Sequence, residues 1–431
     1  MLCLVPAIPA TGQVLPQQGP DVHLGVGTCS GSTCHGAVTP WRNSPIQQNE
    51  YIVWHSKDAH SKAYARLNSE AARRIARNLG LPNAHEAKVC LDCHADNVAP
   101  NLRARSFQIS DGVGCEACHG GSVRWLGTHI AGTSNRAQNL ANGMYPTEDP
   151  AARARLCLSC HLGTKDKFVS HQMLGAGHPR LPFELDTFTE TQPAHFRVDG
   201  DYRVRKRVAD PAQTWAIGQA VTVQSILEAM ADPARNRQGA FPELSFFDCH
   251  ACHHPMSNVR WAPQPGGGPG PGRIRLADGN MLMLRLIAAQ VDPALSTQLQ
   301  QQSRALHDAS QQSVDALAAA TVPLRETVTV LLDRLARYSF DGATLQTLLR
   351  EVLREGEQRT YGDYLDAEQA TMAVAAILAT LKRSGQIDDA RFKRLDAVLD
   401  RAYKAVERDE TFKAADFAAA LAALNEMMGR N

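Results

Sequence analysis

Apolar positions recur at helical spacing through the last third of the chain. Leu345, Leu348, Leu349, Val352 and Leu353 form one stripe, and Phe392, Leu395, Val398 and Leu399 form another. Residues three and four apart share a helix face, so each stripe predicts an amphipathic helix turned toward a core. Thr321-Val-Pro323 and Asp341-Gly342 supply breaks. Residues 273–431 are expected to fold as a bundle of about five to seven helices. The glycine- and proline-only run at 266–272 can neither continue a helix nor pair as an inner strand, and marks the expected linker.

Upstream of that run the pattern is shorter and more broken. A helical run leads from the Trp54–Tyr64 region to Leu79, where Gly80 supplies the stop. Between His171 and His195, glycine and proline interrupt the sequence too often for one helix. The alternation from His195 to Arg205 around Asp199-Gly200 predicts a β-hairpin near 195–206. The expected fold class is mainly α with little β, residues 13–265 being short helices and loops and residues 273–431 the bundle.

With 431 residues, a net charge of +1, 44% hydrophobic and 21% charged residues, the chain excludes wholesale disorder and the basic surface of a nucleic-acid binder. No stretch approaches the roughly 18–20 apolar residues of a transmembrane helix. Residues 1–12 are apolar and end in small residues, and they read as a signal-peptide remnant whose removal near Ala10 takes Cys3 with it.

Eleven cysteines change the picture. Ten lie between Cys29 and Cys252 in five pairs, and each pair ends in a histidine. Cys90/Cys93-His94, Cys115/Cys118-His119, Cys157/Cys160-His161 and Cys249/Cys252-His253 are C-x-x-C-H units, while Cys29 and Cys34, followed by His35, enclose four residues. Two thiols at this spacing can add to the two vinyl groups of a haem, and the adjacent histidine binds the iron. Disulfides or tetrahedral zinc would not need a histidine after every second cysteine. The Ser-Gly-Ser-Thr insert suits a bulge that still spans both vinyl groups, with a single-thioether haem or a disulfide as the alternative. Five covalent haem c groups are expected. Their attachment takes place outside the bacterial cytoplasmic membrane, which predicts a periplasmic or extracellular protein.

Beyond the five proximal histidines the chain has His23, His55, His60, His85, His129, His171, His178, His195, His250, His254 and His307. His60 and His129 are expected as distal ligands from their local sequence. His171, His178 and His195 punctuate a segment suited to draping over haem edges, and His23 is held in reserve. His55, five residues before His60, points elsewhere on a helix. His250 and His254 are poorly placed for their own iron, and His307 is expected at the surface. Arg203, Arg205, Lys206 and Arg207 form the most basic cluster, read either as a docking or propionate site or as a solvated face.

The sequence resembles the cytochrome c-554 family, the tetrahaem electron-transfer partners of hydroxylamine oxidoreductase. The likeness runs over roughly residues 23–161. It is carried by Cys34-His35, Trp54, Asp58-Ala-His60-Ser-Lys-Ala, Cys90-Leu-Asp-Cys93-His94, Gly112-Val-Gly-Cys115-Glu-Ala-Cys118-His119-Gly-Gly with His129, and Cys157-Leu-Ser-Cys160-His161. The resemblance implies that His60 and His129 are distal ligands, His129 serving the first haem. It also implies that the haem at Cys90/Cys93 lacks a distal histidine in typical members. The widened first motif, the fifth motif and the C-terminal region depart from it.

Two functions follow. One is an electron relay through closely packed, mostly bis-histidine haems to or from a redox partner protein. The other is a multihaem oxidoreductase acting on a small nitrogen or sulfur compound at one five-coordinate haem. No C-x-x-C-K unit is present, and the surplus of histidines favours capped irons, so relay is expected over turnover.

Overall fold

A computed structural model describes residues 14–42, 44–236, 242–253, 273–358 and 361–429. The expected signal remnant with Cys3, the linker at 266–272 and His254 lie outside the described residues. The chain is mainly helical, with one two-stranded sheet among the described residues. Its contacts define two compact units. The first comprises the described residues up to Phe168 with Gln172–Leu181 and Glu190–Val208; the second comprises Val169–His171, Pro182–Thr189 and the described residues from Ala209 onward. The helix Pro211–Ala231, upstream of the glycine/proline run, thus groups with the bundle.

Short helices with local caps build the first unit. The run expected from Trp54 to Leu79 is divided into Glu50–Lys57, a 3-10 turn Ala59–Lys62, Ala63–Arg66 and Glu70–Asn78. Asp58 caps the 3-10 turn by accepting from the His60 amide, and Ser69 starts the last helix by accepting from the Ala72 amide at 3.1 Å. Gly80, at φ +70°, follows its end as expected. The expected hairpin near 195–206 is not formed. Gly200–Arg205 is a helix, because the Asp199 carboxylate accepts from the Tyr202 amide at 2.9 Å and acts as an N-cap where Asp-Gly had suggested a turn. The sheet is instead Gly163–Thr164 against Lys167–Phe168. Gly163 sits at φ +114°, where a Cβ would come within 2.5 Å of the Lys167 carbonyl oxygen.

The second unit is a helical bundle. From residue 273 it contains Gly279–Val291, Pro293–Ala309, Val314–Leu335, Gly342–Glu357, Tyr364–Arg383, Asp389–Ala405 and Ala414–Gly429, the upper end of the expected number. The predicted stripe of Leu345, Leu348, Leu349, Val352 and Leu353 is buried. The expected break at Asp341-Gly342 is present, with Asp341 capping the helix that follows, but Val314–Leu335 runs unbroken through Pro323. There Thr321 Oγ1 donates to the Ala318 carbonyl and Thr327 Oγ1 to the Pro323 carbonyl, while Leu317, Leu324, Val328 and Leu331 keep the helix packed on both sides of the proline. Pro211–Ala231 lies against three of these helices, and a chain of side-chain amides from Asn280 to Gln219 to Gln369 ties it in.

His307 is buried, contrary to the surface position expected for it. Its Nε2 lies 2.9 Å from an Asp278 carboxylate oxygen. Asp278 also meets Arg275 at 2.6 Å, and the same guanidinium reaches Asp366 at 3.1 Å and Asp363 at 3.8 Å. Burial raises Asp363 to about 6 against the pull of Arg275. For Asp278, Arg275 and His307 outweigh burial and hold it at about 2.

Candidate functional site

Three of the C-x-x-C-H units close helices. Lys88–His94, Cys115–His119 and Pro150–His161 each end on the motif histidine, so cysteines three apart share a face. The widened unit forms a compact bulge: Cys34 N donates to the Gly31 carbonyl at 2.9 Å and His35 N to the Cys29 carbonyl at 3.2 Å. In the second unit, Cys249–Ala251 is a 3-10 turn started by Asp248, with His253 N donating to the Cys249 carbonyl at 2.7 Å.

Within the first unit the motifs adjoin one another in a definite order. The Cys29 thiol adjoins that of Cys115, and Cys93 adjoins Cys160. Cys118 is close enough to Cys157 and Cys160 for their charges to affect its ionisation. The spatial series is therefore first, third, fourth, second motif.

Each motif histidine has a second histidine beside it. Ring centroids are 6.2 Å apart for His35–His129, 6.2 Å for His60–His161, 6.3 Å for His119–His195 and 6.3 Å for His171–His253. His178 lies within electrostatic reach of His94. An imidazole nitrogen binds a transition metal at about 2 Å, so two rings on opposite sides of one iron have centroids about 6 Å apart. Four of the pairs meet that requirement. The residues present therefore fit haem irons held between two imidazoles.

Hydrogen bonds at the other ring nitrogen support the same use. Nδ1 of His35 lies 2.9 Å from Glu50, that of His60 2.8 Å from Asp58, that of His94 3.1 Å from the Ala63 carbonyl and that of His178 2.8 Å from the Pro179 carbonyl. With Nδ1 donating in each case, Nε2 is the nitrogen left for a metal. Burial and the neighbouring His195 push His119 down to about 3, so its lone pair is free at neutral pH. Burial also lowers His129, His161, His178 and His195. The carboxylates of Glu50 and Asp58 instead raise His35 and His60.

Some residues shape the site without an obvious mark in the sequence. Glu116, inside the third motif, is buried and accepts from the amides of Leu24, Gly25 and Ser122 and from the Ser122 hydroxyl, which fastens the motif to the segment before the first one. Asp58 stands two residues before His60, a spacing that could have flagged it; nothing near Glu50 points to His35. His23 is fully buried with Nδ1 2.7 Å from Asp96, and no motif histidine stacks on it. His55 stacks on Tyr51, and His85 stands beside Glu86. In the basic cluster, Arg205 pairs with Asp201 and Lys206 lies over the Tyr202 ring at 4.7 Å.

A family model described as cytochrome c554 and c-prime matches residues 28–120, a span that includes the widened motif and the two that follow it. The match supports a multihaem c-type cytochrome acting in electron transfer with covalently bound haem. No curated protein and no solved structure matches the chain.

Proposed function

We propose that the protein is a five-haem c-type cytochrome that relays electrons, each iron being held by one motif histidine and one distal histidine. The pairs are His35 with His129, His94 with His178, His119 with His195, His161 with His60, and His253 with His171. The observation that carries this reading is the pairing itself: every motif histidine has another imidazole next to it, four of them at a ring spacing suited to a shared metal.

Bound haem supplies one-electron chemistry. The chain's own contribution is to hold the irons capped and close together. The Cys29–Cys115 and Cys93–Cys160 contacts bring attachment points of different motifs side by side, so electrons need not cross much protein between them. His178 beside His94 supplies a distal ligand at Cys90/Cys93, which argues against the alternative of an oxidoreductase with a vacant iron there. Among the described residues no helix is long and apolar enough to cross a membrane. Covalent attachment requires export, so the proposed compartment is the periplasm or the exterior, and the partner is a redox protein.

Intact mass of the exported protein, with electron paramagnetic resonance of its oxidised form, tests this. The expected result is five haems and only low-spin signals that nitric oxide leaves unchanged. Four haems, or a high-spin signal abolished by the gas, would overturn it.

A further inference from the structure

We propose that Glu50 and Asp58 set the order of potentials along the first unit, making the His35–His129 and His60–His161 sites the low-potential members of an alternating series. The inference rests on the histidine pairing proposed above. It begins from a difference in what the Nδ1 atoms meet. His35 and His60 donate to carboxylates at 2.9 and 2.8 Å, whereas His94 and His178 donate to the carbonyls of Ala63 and Pro179 at 3.1 and 2.8 Å. His195 likewise has a neutral backbone partner, at Pro193, and feels Glu50 and Asp58 only through space, without a hydrogen bond to either.

A carboxylate on Nδ1–H draws the proton away from the ring and makes Nε2 a stronger donor. It also places a full negative charge near the iron, where low surrounding dielectric strengthens its effect. Both changes favour the oxidised metal over the reduced one, and second-shell hydrogen bonding is an established lever on haem potential. A carbonyl provides the hydrogen bond without the charge, so its effect is smaller.

The two carboxylates are held in place. Asp58 is 4% exposed, and it accepts from the His60 amide at 3.0 Å, from His60 Nδ1, and from Gln192 Nε2 at 3.0 Å. Glu50 directs one oxygen to His35 and accepts from the Gln48 amide at 3.2 Å with the other. The less exposed Asp58 should act more strongly.

Position along the series gives the difference a consequence. With the motifs adjoining in the order first, third, fourth, second, the carboxylate-bonded sites are the first and third members of that path. Low and high sites alternate. In a partly reduced protein the first electrons within this unit rest on the His119–His195 and His94–His178 sites, and the other two act as steps between and beyond them. Glu50 and Asp58 are positioning residues here, acting through the histidines they hold.

The test is a spectroelectrochemical titration of the full haem-loaded protein with Glu50→Gln, Asp58→Asn and Asp58→Glu. One low-potential component should move upward in Glu50→Gln, and a different one should move further in Asp58→Asn. Asp58→Glu should return that component toward its original position. All three proteins should remain low spin. Unchanged midpoints in both amide variants would overturn the proposal, as would a spin change in Asp58→Asn without an upward shift. Failure of the underlying pairing is recognised separately, since His60→Ala would then leave every haem of the otherwise unaltered protein low spin.

Discussion

About half of the apolar residues buried in the first unit are alanines, among them Ala76, Ala84, Ala95, Ala117, Ala151, Ala152 and Ala154, with two small clusters around Leu67–Leu91 and Tyr145–Leu156. The second buries Trp215, Ile217, Met283, Leu284, Ile287, Tyr361 and Phe417 almost completely. Of the twelve largest fully buried side chains among the described residues, only Leu158 belongs to the first unit. Helix length follows the same division. Glu70–Asn78 and Cys115–His119 are typical of the first unit, whereas Val314–Leu335 and Tyr364–Arg383 belong to the second. Short helices are marginal unless they pack on something large, and alanines leave room for it. On the proposed reading the first unit is built around haems the polypeptide does not itself supply, whereas the second closes a helical core of its own.

The sharpest way to break this comparison is to withhold haem attachment. If Cys29, Cys34, Cys90, Cys93, Cys115, Cys118, Cys157, Cys160, Cys249 and Cys252 are all changed to serine, amide hydrogen exchange should show the first unit losing nearly all protection. Val314–Leu335 and Tyr364–Arg383 should stay protected, because their contacts are to other helices of the bundle. Equal protection in both units would mean that alanine packing and caps suffice without haem.

A smaller effect sharpens the comparison from the other side. Leu331 is completely buried in the bundle, so Leu331→Ala should cost about 2–5 kcal/mol through lost burial and the cavity left behind. Chemical denaturation followed by far-ultraviolet circular dichroism reads the loss. The low-spin absorbance of the first unit's haems should persist in native buffer; its disappearance would show that these haems depend on the bundle core.

The same contrast governs what could be read from the sequence. The Leu345–Leu353 stripe was legible because a single apolar face repeats at helical spacing, and the cysteine–histidine motifs stood out because the same spacing recurs along the chain. Pro211–Ala231 was harder to read, since burial on most of its surface leaves no polar face to set a period. Asp199-Gly200 carries signals for both a turn and an N-cap, and the local hydrogen bond to Tyr202 decided between them. His307 and Glu50 depend on partners 29 and 15 residues away, Asp278 and His35. Those partnerships are tertiary facts without a local pattern.

The smallest effect expected here is a pH dependence in the second unit, arising where its core is least apolar. Asp363 is buried beside Arg275, Asp278 and Asp366, with Asp248 and, through Asp278, His307 contributing to the same field. Burial raises its carboxyl from 3.8 to about 6 in spite of Arg275. Between those values the folded chain binds more protons than the unfolded one, so stability from this group is complete below about pH 4 and is lost as pH rises through 6. Asp278, held at about 2, changes charge below that window, while Asp366, pushed up by burial, acts in the same direction as Asp363. The bundle should therefore lose on the order of 2 kcal/mol between pH 4 and pH 7 through Asp363. Asp363→Asn should flatten that part of the profile, as read by denaturant midpoints of the bundle at closely spaced pH. An Asp363→Asn protein that keeps the full slope would assign the protons to another group of the cluster.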